Sequence, residues 1–229
     1  MAAEVTADGP EAADVFGAAL DQARRYAELL GTDGVTRGLI GPRETERLWD
    51  RHLLNCAAVS ELLPERGVLV DIGSGAGLPG VVLAMLRPSV QVILLEPLLR
   101  RSVFLAECVA ELGLSNATVL RARAEDKAAA HVNADIATAR AVAPLDRLAG
   151  WAARLLRPGG ELLAIKGQSA DEELAAAQPV LSRLGVRSAE VLQAGHGRVV
   201  MATTVVRVVM GGHGREERAG AQRSRRGVA

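Results

Sequence analysis

The chain has 229 residues, 49% of them hydrophobic, and a mean hydropathy of +0.16, values that fit one globular enzyme domain with a sizeable core. Its 27 basic and 27 acidic side chains cancel, which excludes the basic composition of a general nucleic-acid binder. No apolar run reaches the length of a membrane span, and the acidic N-terminus lacks an export signal. We therefore expect a cytoplasmic protein that does not enter a membrane.

The first 66 residues are predicted to form a helical segment. Val15–Leu30 repeats apolar side chains at helical spacing, Gly31–Gly41 interrupts the pattern, and Thr45–Leu63 forms a second amphipathic helix. Acidic side chains outnumber basic ones in this segment, so the rest of the chain is net positive. We place a helical segment at residues 1–66 and an arginine-rich nucleotide-binding domain at residues 67–210.

In the second segment, predicted strands alternate with predicted helices. Such alternation is typical of right-handed βαβ units, which build a parallel sheet. The predicted strands are Val68–Ile72, Gln91–Leu95, Ala117–Leu120, Ala134–Thr138 and Glu161–Ile165. The predicted helices are Leu78–Arg87, Leu99–Leu112, Pro144–Leu156 and Asp171–Leu184.

Two further β-rich runs, Ala189–Gln193 and Val199–Val209, follow the alternating elements. Only the short sequence A-G-H-G-R joins them, so no crossover helix fits and the two strands must pair antiparallel. We predict an α/β fold with a mostly parallel seven-stranded sheet that ends in an antiparallel hairpin. Residues 211–229 lack apolar periodicity and are predicted to be disordered.

The sequence D-I-G-S-G-A-G-L-P-G after the first strand predicts a nucleotide-binding turn. Glycines are expected where a ligand lies against the backbone, and the following helix directs N–H groups at an anionic part of the ligand. The acid-led spacing of Asp71, Gly73, Gly75 and Gly77 resembles motif I of S-adenosylmethionine-dependent methyltransferases. G-A-G-L-P-G also fits the dinucleotide pattern G-x-G-x-x-G, so a nicotinamide or flavin enzyme is the alternative.

A second acid, Glu96, ends the next predicted strand, where a carboxylate can accept hydrogen bonds from both hydroxyls of a ribose. Both ligand classes predict this acid, so Glu96 supports nucleoside binding without choosing between them. The predicted hairpin favours the methyltransferase, because a doubly wound sheet with an antiparallel hairpin is the usual outline of the Rossmann-like class I methyltransferases.

Two kinds of methyl acceptor lack support in the sequence. Amino-group methyltransferases place an N-P-P-Y or D-P-P-Y turn after the fourth strand, where this chain has T-A-R-A-V-A-P. Methylation of cytosine at carbon 5 needs a catalytic cysteine near the site. Cys56 and Cys108 lie in apolar helical surroundings and are predicted to be buried thiols, with no metal site.

A series of motifs between about Arg43 and Val209 resembles those of the bacterial 16S rRNA guanine-N7 methyltransferases, once named glucose-inhibited division protein B. The family commonly has Asp-Ser where this chain has Asn55 and Cys56. The resemblance implies an enzyme that uses S-adenosyl-L-methionine. The motifs are R-H-L-L-N-C from Arg51, the glycine turn, E-P-L-L-R-R-S-V-F-L from Glu96, A-R-A-E-D around Glu125, T-A-R-A from Thr138 and L-A-I-K-G-Q from Leu163.

The resemblance also implies roles for single residues. Ala124 and Glu125 match the pair that contacts adenine, Gly73 and Leu78 match cofactor positions, and Arg140 matches a further cofactor-site arginine. With the acids and glycines above, the predicted cofactor site is Asp71, Gly73, Gly75, Gly77, Leu78, Glu96, Ala124, Glu125 and Arg140. The predicted RNA contacts are Arg100, Arg101, Lys166 and Gln168.

Arg140 and Lys166 are the predicted catalytic residues. Guanine N7 already carries a lone pair, so its attack on a sulfonium methyl needs no general base, only alignment within about 3 to 3.5 Å. Arg140 would steer the methionine carboxylate or hold guanine O6, and Lys166 would hold a phosphate or O6. We predict that His52 is packed and hydrogen-bonded and does not contact RNA.

The expected partner is 16S rRNA or the small ribosomal subunit, and we expect a monomer. Two other functions stay open at this point. A nucleotide-binding oxidoreductase would use the other glycine register, although the sequence offers no obvious acid or histidine for a hydride site. A non-catalytic RNA-binding or ribosome-assembly factor with a vestigial cofactor pocket would differ only in lacking turnover.

Overall fold

The computed structural model describes residues 8–195 and 202–212. Its N-terminal part is helical, as predicted, but the helices are short and irregular. The α-helices are α1 (Pro10–Phe16), α2 (Leu20–Leu29) and α3 (Asn55–Ala58). They are connected by 3-10 turns at Gly17–Ala19, Pro42–Arg47 and Val59–Leu62 and by π-helical turns at Leu30–Gly34 and Leu48–Leu54.

Two N-terminal predictions therefore need correction. The expected break at Gly31–Gly41 is only partial, because the chain continues from α2 through a π-helical turn to Gly34. The expected helix at Thr45–Leu63 contains only the four residues of α3 in α-helical form. The 3-10 and π-helical turns each differ from an α-helix by only about one residue per turn or less, so over one or two turns the spacing of apolar residues could not tell them apart.

A seven-stranded sheet with the order β3-β2-β1-β4-β5-β7-β6 forms the centre of the molecule. The first five strands run parallel, and β7 pairs antiparallel with both β5 and β6. The predicted α/β fold with an antiparallel C-terminal hairpin is thus confirmed. The strands are β1 (Gly67–Ile72), β2 (Val90–Leu95), β3 (Ala117–Leu120), β4 (Ala134–Arg140), β5 (Leu156–Ile165), β6 (Val186–Ala194) and β7 (Thr203–Met210).

Helices cover both faces of the sheet and create two hydrophobic cores. Neighbouring residues of β1 show the division, because Leu69 belongs to one core and Val70 to the other, as the alternation of side chains along a strand requires. The N-terminal helices share the core on the Leu69 side. The remaining helices are α4 (Gly80–Leu86), α5 (Leu99–Glu111), α6 (Leu145–Leu155) and α7 (Ala170–Leu184).

Several element boundaries differ from the predicted ones. Strand β4 continues to Arg140, and β5 begins at Leu156 with a register shift opposite Ala134 to Ile136. The predicted start of β5 is Glu161, after the sequence R-P-G-G. Helix α4 begins at Gly80, two residues later than predicted. The predicted strand start at Val199 and all but two residues of the predicted disordered tail lie outside the described residues.

Both cysteines are buried and free, as predicted. Burial raises the pKa of the Cys56 thiol to about 11 and that of Cys108 to about 12, so neither thiol is activated as a nucleophile. Within the described ranges, no helix has both the length and the apolar character needed to cross a bilayer. The division of the chain at residue 66 stays a prediction.

Candidate active site

A cavity of about 550 Å³ lies where β1, β2 and β4 end, at the carboxyl edge of the sheet. Its volume is typical of small-molecule sites, and open α/β sheets bind ligands at this edge. Most of the predicted cofactor residues line it, whereas Asp71 and Gly77 lie behind its wall. The lining residues among the predicted ones are Gly73, Gly75, Leu78, Glu96, Ala124, Glu125 and Arg140.

Gly75 leaves open space in the cavity wall. Its φ is +59°, and a Cβ built on it would have only the Gly73 carbonyl oxygen within 4 Å, at 3.7 Å. A side chain here would therefore occupy cavity space instead of packing against protein. This geometry fits a ligand that lies against the backbone of the turn.

Gly77, predicted to contact the cofactor, does not line the cavity and has a packing role. Its φ is +101°, and an added Cβ would lie 2.6 Å from the Tyr26 hydroxyl oxygen and 2.6 Å from Cγ2 of Val81. The buried Tyr26 of α2 donates a hydrogen bond of 2.6 Å to the Ala76 carbonyl. The absence of a side chain at Gly77 lets α2 approach the glycine turn closely enough to make this bond.

Asp71 supports the turn from behind. Its Oδ2 accepts a hydrogen bond from the Gly80 N–H at 3.0 Å, where α4 begins. Its Oδ1 is buried and has no hydrogen-bond partner among the described residues. Burial raises the pKa of Asp71 to about 7, although the bonds with Ser74 and Gly80 act in the opposite direction. Asp71 thus fixes the junction between turn and helix without lining the cavity.

Glu96 faces the cavity with both carboxylate oxygens already engaged. Oε2 accepts from the Gly75 N–H at 3.0 Å and Oε1 from the Leu98 N–H at 2.9 Å. A carboxylate offers about four acceptor positions, so two remain available for hydroxyl groups of a ligand. The residues present therefore fit the ribose of a nucleoside.

Arg101 also belongs to this cavity, although the sequence suggested an RNA contact. Its Nη1 lies 3.9 Å from Oε2 of Glu96, and its buried Nε has no partner among the described residues. Arg100, the neighbouring prediction, is exposed at the start of α5 and does not line the cavity. The two arginines thus occupy different positions relative to the site.

The wall that follows β3 contains the predicted adenine pair. Ala124 is buried, and the carboxylate of Glu125 accepts a hydrogen bond from the indole N–H of Trp151. Trp151 lies on α6 and itself lines the cavity. No sequence pattern indicated Trp151, since a single tryptophan on an amphipathic helix carries no motif.

A second cavity, of about 590 Å³, lies beside the first. Arg140, Ala141 and Val142 line both, so this short segment after β4 is their shared wall. Ala141 has a φ of +55° and is the one non-glycine residue with positive φ in the described chain. Such a conformation costs about 1 kcal/mol or more and needs support from its surroundings.

Lys166 supplies part of that support. Its Nζ donates to the Ala143 carbonyl at 3.0 Å and to Oε2 of Glu173 on α7 at 2.7 Å. The Lys166 side chain is only 10% exposed, so an RNA group would have to compete with Glu173 for it. Gln168, predicted to contact RNA, is exposed and lies outside the lining of both cavities.

At the other end of the shared wall, Arg140 meets His52. Nη2 of Arg140 lies 2.8 Å from Nδ1 of His52, and Nη1 donates to the Arg51 carbonyl at 3.3 Å. His52 is buried and hydrogen-bonded, as predicted. No sequence pattern connected the histidine of the N-terminal segment with the arginine that ends β4.

The model of the family described as rRNA small subunit methyltransferase G matches residues 19–201. The chain belongs to this family. It is 59% identical over 199 residues to a protein of Thermobifida fusca named ribosomal RNA small subunit methyltransferase G, covering 87% of this chain and 84% of that one. A protein of the same name in Streptomyces coelicolor is 55% identical over 210 residues, covering 92% and 88%.

A solved methyltransferase structure has a similar fold. A SAM-dependent methyltransferase from Aquifex aeolicus superposes with a TM-score of 0.55 and 19% sequence identity. The match covers 75% of this chain and 99% of that chain. At this level of identity the likeness supports the fold alone, which is the one predicted from the alternation of strands and helices.

Replacing Gly77 with alanine should destabilise the protein more than replacing Gly113 with alanine. Both glycines have positive φ, but a Cβ at Gly113 meets nothing within 4 Å. At φ +101° Gly77 lies outside the left-handed region that contains Gly113, so alanine there is also more strained. We expect overpacking to add a further loss of about 1 to 3 kcal/mol for Gly77→Ala. Urea denaturation measures the free energies of unfolding. Equal losses would contradict the packing role, and adding Tyr26→Phe should recover part of the additional loss.

Proposed function

We propose that this protein transfers a methyl group from S-adenosyl-L-methionine to N7 of a guanine in 16S rRNA of the small ribosomal subunit. The observation that carries the proposal is the wall of Arg140, Ala141 and Val142, shared by a nucleoside-sized cavity and a second cavity. A methyl donor in the first cavity and a methyl acceptor in the second would lie next to each other along this shared segment. Membership of the rRNA small subunit methyltransferase G family supports the same reaction.

The first cavity suits the donor. Glu96 can accept the ribose hydroxyls, Gly75 leaves room for a ligand along the turn, and Arg140 can pair with a carboxylate. When bound, S-adenosylmethionine supplies an electrophilic methyl group on a sulfonium. The adenine would lie between Ala124, Glu125 and Trp151, which form the wall at the carboxyl end of β3.

The second cavity suits the acceptor base. Guanine N7 has a lone pair in the plane of the ring, so the protein needs only to place it in line with the methyl group. Val142, exposed between the cavities, offers an apolar contact for a base, and Arg140 can reach guanine O6 from the wall. Alignment by this wall would be the main source of rate acceleration.

The surface around the first cavity suits RNA. Exposed Leu98, Leu99 and Val103 form an apolar rim at the start of α5, and Arg100 adds a positive charge beside it. Apolar side chains can contact unstacked bases, and arginine pairs with phosphate. We infer that the enzyme acts as a monomer in the cytoplasm, where its rRNA substrate is found.

Transfer of a tritiated methyl group from S-adenosylmethionine to small-subunit particles tests this function. We expect the label in 16S rRNA as N7-methylguanosine, identified after digestion to nucleosides. The variant Gly75→Val should lose cofactor binding and transfer, because its side chain fills the cavity. Gly113→Val is the matched control, since it shares the positive φ without touching the cavity.

Each other outcome of this experiment has a definite meaning. Cofactor binding without transfer to particles or naked rRNA would favour a non-catalytic assembly factor. Binding of NADH in place of S-adenosylmethionine would favour an oxidoreductase. Full activity of Gly75→Val would mean that the ligand lies elsewhere. Circular dichroism of both valine variants separates a loss of folding from a loss of binding.

Lys166→Ala should keep cofactor affinity and lower the single-turnover rate by about tenfold or more, because the loop at Ala143 loses its anchor. Glu173→Gln, which removes the charged partner of Lys166, should also lower the single-turnover rate. If Lys166 instead binds an RNA phosphate, Lys166→Ala should reduce the salt slope of RNA binding by about one. In that case Glu173→Gln should strengthen RNA binding. The two variants together therefore separate anchoring from phosphate contact.

A further inference from the structure

A chain of three side chains connects the N-terminal segment to the shared wall. Nε2 of His52 lies 2.9 Å from Oε2 of Glu44, and its Nδ1 lies 2.8 Å from Nη2 of Arg140. Glu44 belongs to the 3-10 turn at Pro42–Arg47, His52 to the π-helical turn at Leu48–Leu54, and Arg140 to the end of β4. Three separate elements thus meet at one imidazole ring.

The chemistry of the partners determines the protonation of His52. A guanidinium can only donate, so Nδ1 must accept from Arg140. A carboxylate accepts, so the proton of the neutral ring lies on Nε2 and points to Glu44. This one tautomer satisfies both contacts, whereas a protonated ring would direct a second N–H at the arginine.

The charges around His52 favour this neutral form. Burial, followed by the charge of Arg140, lowers the pKa of His52, while Glu44 raises it and Arg51 lowers it further. The hydrogen bond from His52 in turn lowers the pKa of Glu44. Near neutral pH the ring is therefore an acceptor for Arg140, and Glu44 is an ionised acceptor for the ring.

We propose that His52 is a positioning residue that fixes the direction of the Arg140 guanidinium at the wall between the two cavities. Glu44 orients the ring by accepting its Nε2–H. The proposal rests on the function inferred above, because Arg140 would align the cofactor carboxylate or the guanine. Without the ring, the remaining hydrogen bond of Arg140 in the described structure is the 3.3 Å contact with the Arg51 carbonyl.

Two substitutions separate the two contacts of the ring. In His52→Asn, the amide oxygen can take the place of Nδ1 and accept from Arg140, but the side chain is too short for Glu44. In His52→Gln, the amide N–H can reach Glu44, but the acceptor for Arg140 is lost. Both variants remove the imidazole, so a merely structural role predicts similar effects of the two.

We expect cofactor affinity or the single-turnover transfer rate to fall by about tenfold or more in His52→Gln, since an unrestrained arginine regains rotamer freedom. His52→Asn should stay within about threefold of the parent. Calorimetry with S-adenosylmethionine and single-turnover transfer to small-subunit particles measure the two quantities separately. Equal losses in both variants, in proportion to their loss of thermal stability, would overturn the proposal.

The pH profile provides a second readout. Protonation of His52 removes the acceptor for Arg140. Because the pKa of His52 is lowered, the cofactor affinity or transfer rate should decline only at a pH below the ordinary histidine value of about 6.5. Asp71, whose pKa burial raises to about 7, also interacts with the charge of Arg140 and titrates at a higher pH than His52. The decline that belongs to His52 must be absent from His52→Asn. A decline that persists in this variant would contradict the role of His52.

The ring nitrogens also report the contact without any activity. The ¹⁵N chemical shifts of His52 in the protein alone should show the neutral ring with its proton on Nε2. A proton on Nδ1, or a doubly protonated ring at pH 7.5, would overturn the proposal. A parent protein that shows the expected tautomer but transfers no methyl group would instead overturn the proposed function.

Discussion

The site depends on the close approach of α2 to the glycine turn. Tyr26, the one tyrosine of the chain, donates to the Ala76 carbonyl at 2.6 Å, and this approach is possible only because Gly77 has no side chain. Removing the donor of such a buried hydrogen bond leaves the acceptor without a partner and costs roughly 1 to 3 kcal/mol of stability. The glycine turn is thus held by α2 on the side that faces the core, whereas the side that faces the cavity stays open to a ligand.

The two acids of the site also lie on opposite sides of the turn. Asp71 satisfies the first N–H of α4 from behind the turn, whereas Glu96 bonds the Gly75 and Leu98 N–H groups and still faces the cavity. A buried carboxylate that accepts hydrogen bonds from backbone N–H groups holds those backbone segments in place. The two acids therefore shape the turn, and of the two only Glu96 lines the cavity and can offer acceptor positions to a ligand.

Much of the fold could be predicted from the sequence because its signals are local. The alternation of apolar runs gave the parallel strands, and the short link A-G-H-G-R required the antiparallel hairpin. Gly75 and Glu96 follow strand ends, so their place at the carboxyl edge followed from the topology. The contacts of Gly77 with Tyr26, of Trp151 with Glu125 and of His52 with Arg140 could not be predicted, because each partner lies far along the chain. Lys166 lines the second cavity, but its pairing with Glu173 depends on side-chain directions that no pattern encodes.

The N-terminal helices thus contribute to the site as well as to the core, through Tyr26 at the turn and His52 at Arg140. Amide hydrogen exchange with and without S-adenosylmethionine tests most directly whether the cavity at the carboxyl edge is the cofactor site. If it is, binding should slow exchange at Gly73–Leu78, Ala122–Glu125 and Arg140–Val142 and leave exchange in α7 unchanged. Protection confined to other parts of the chain, or binding that protects none of these three segments, would contradict this assignment.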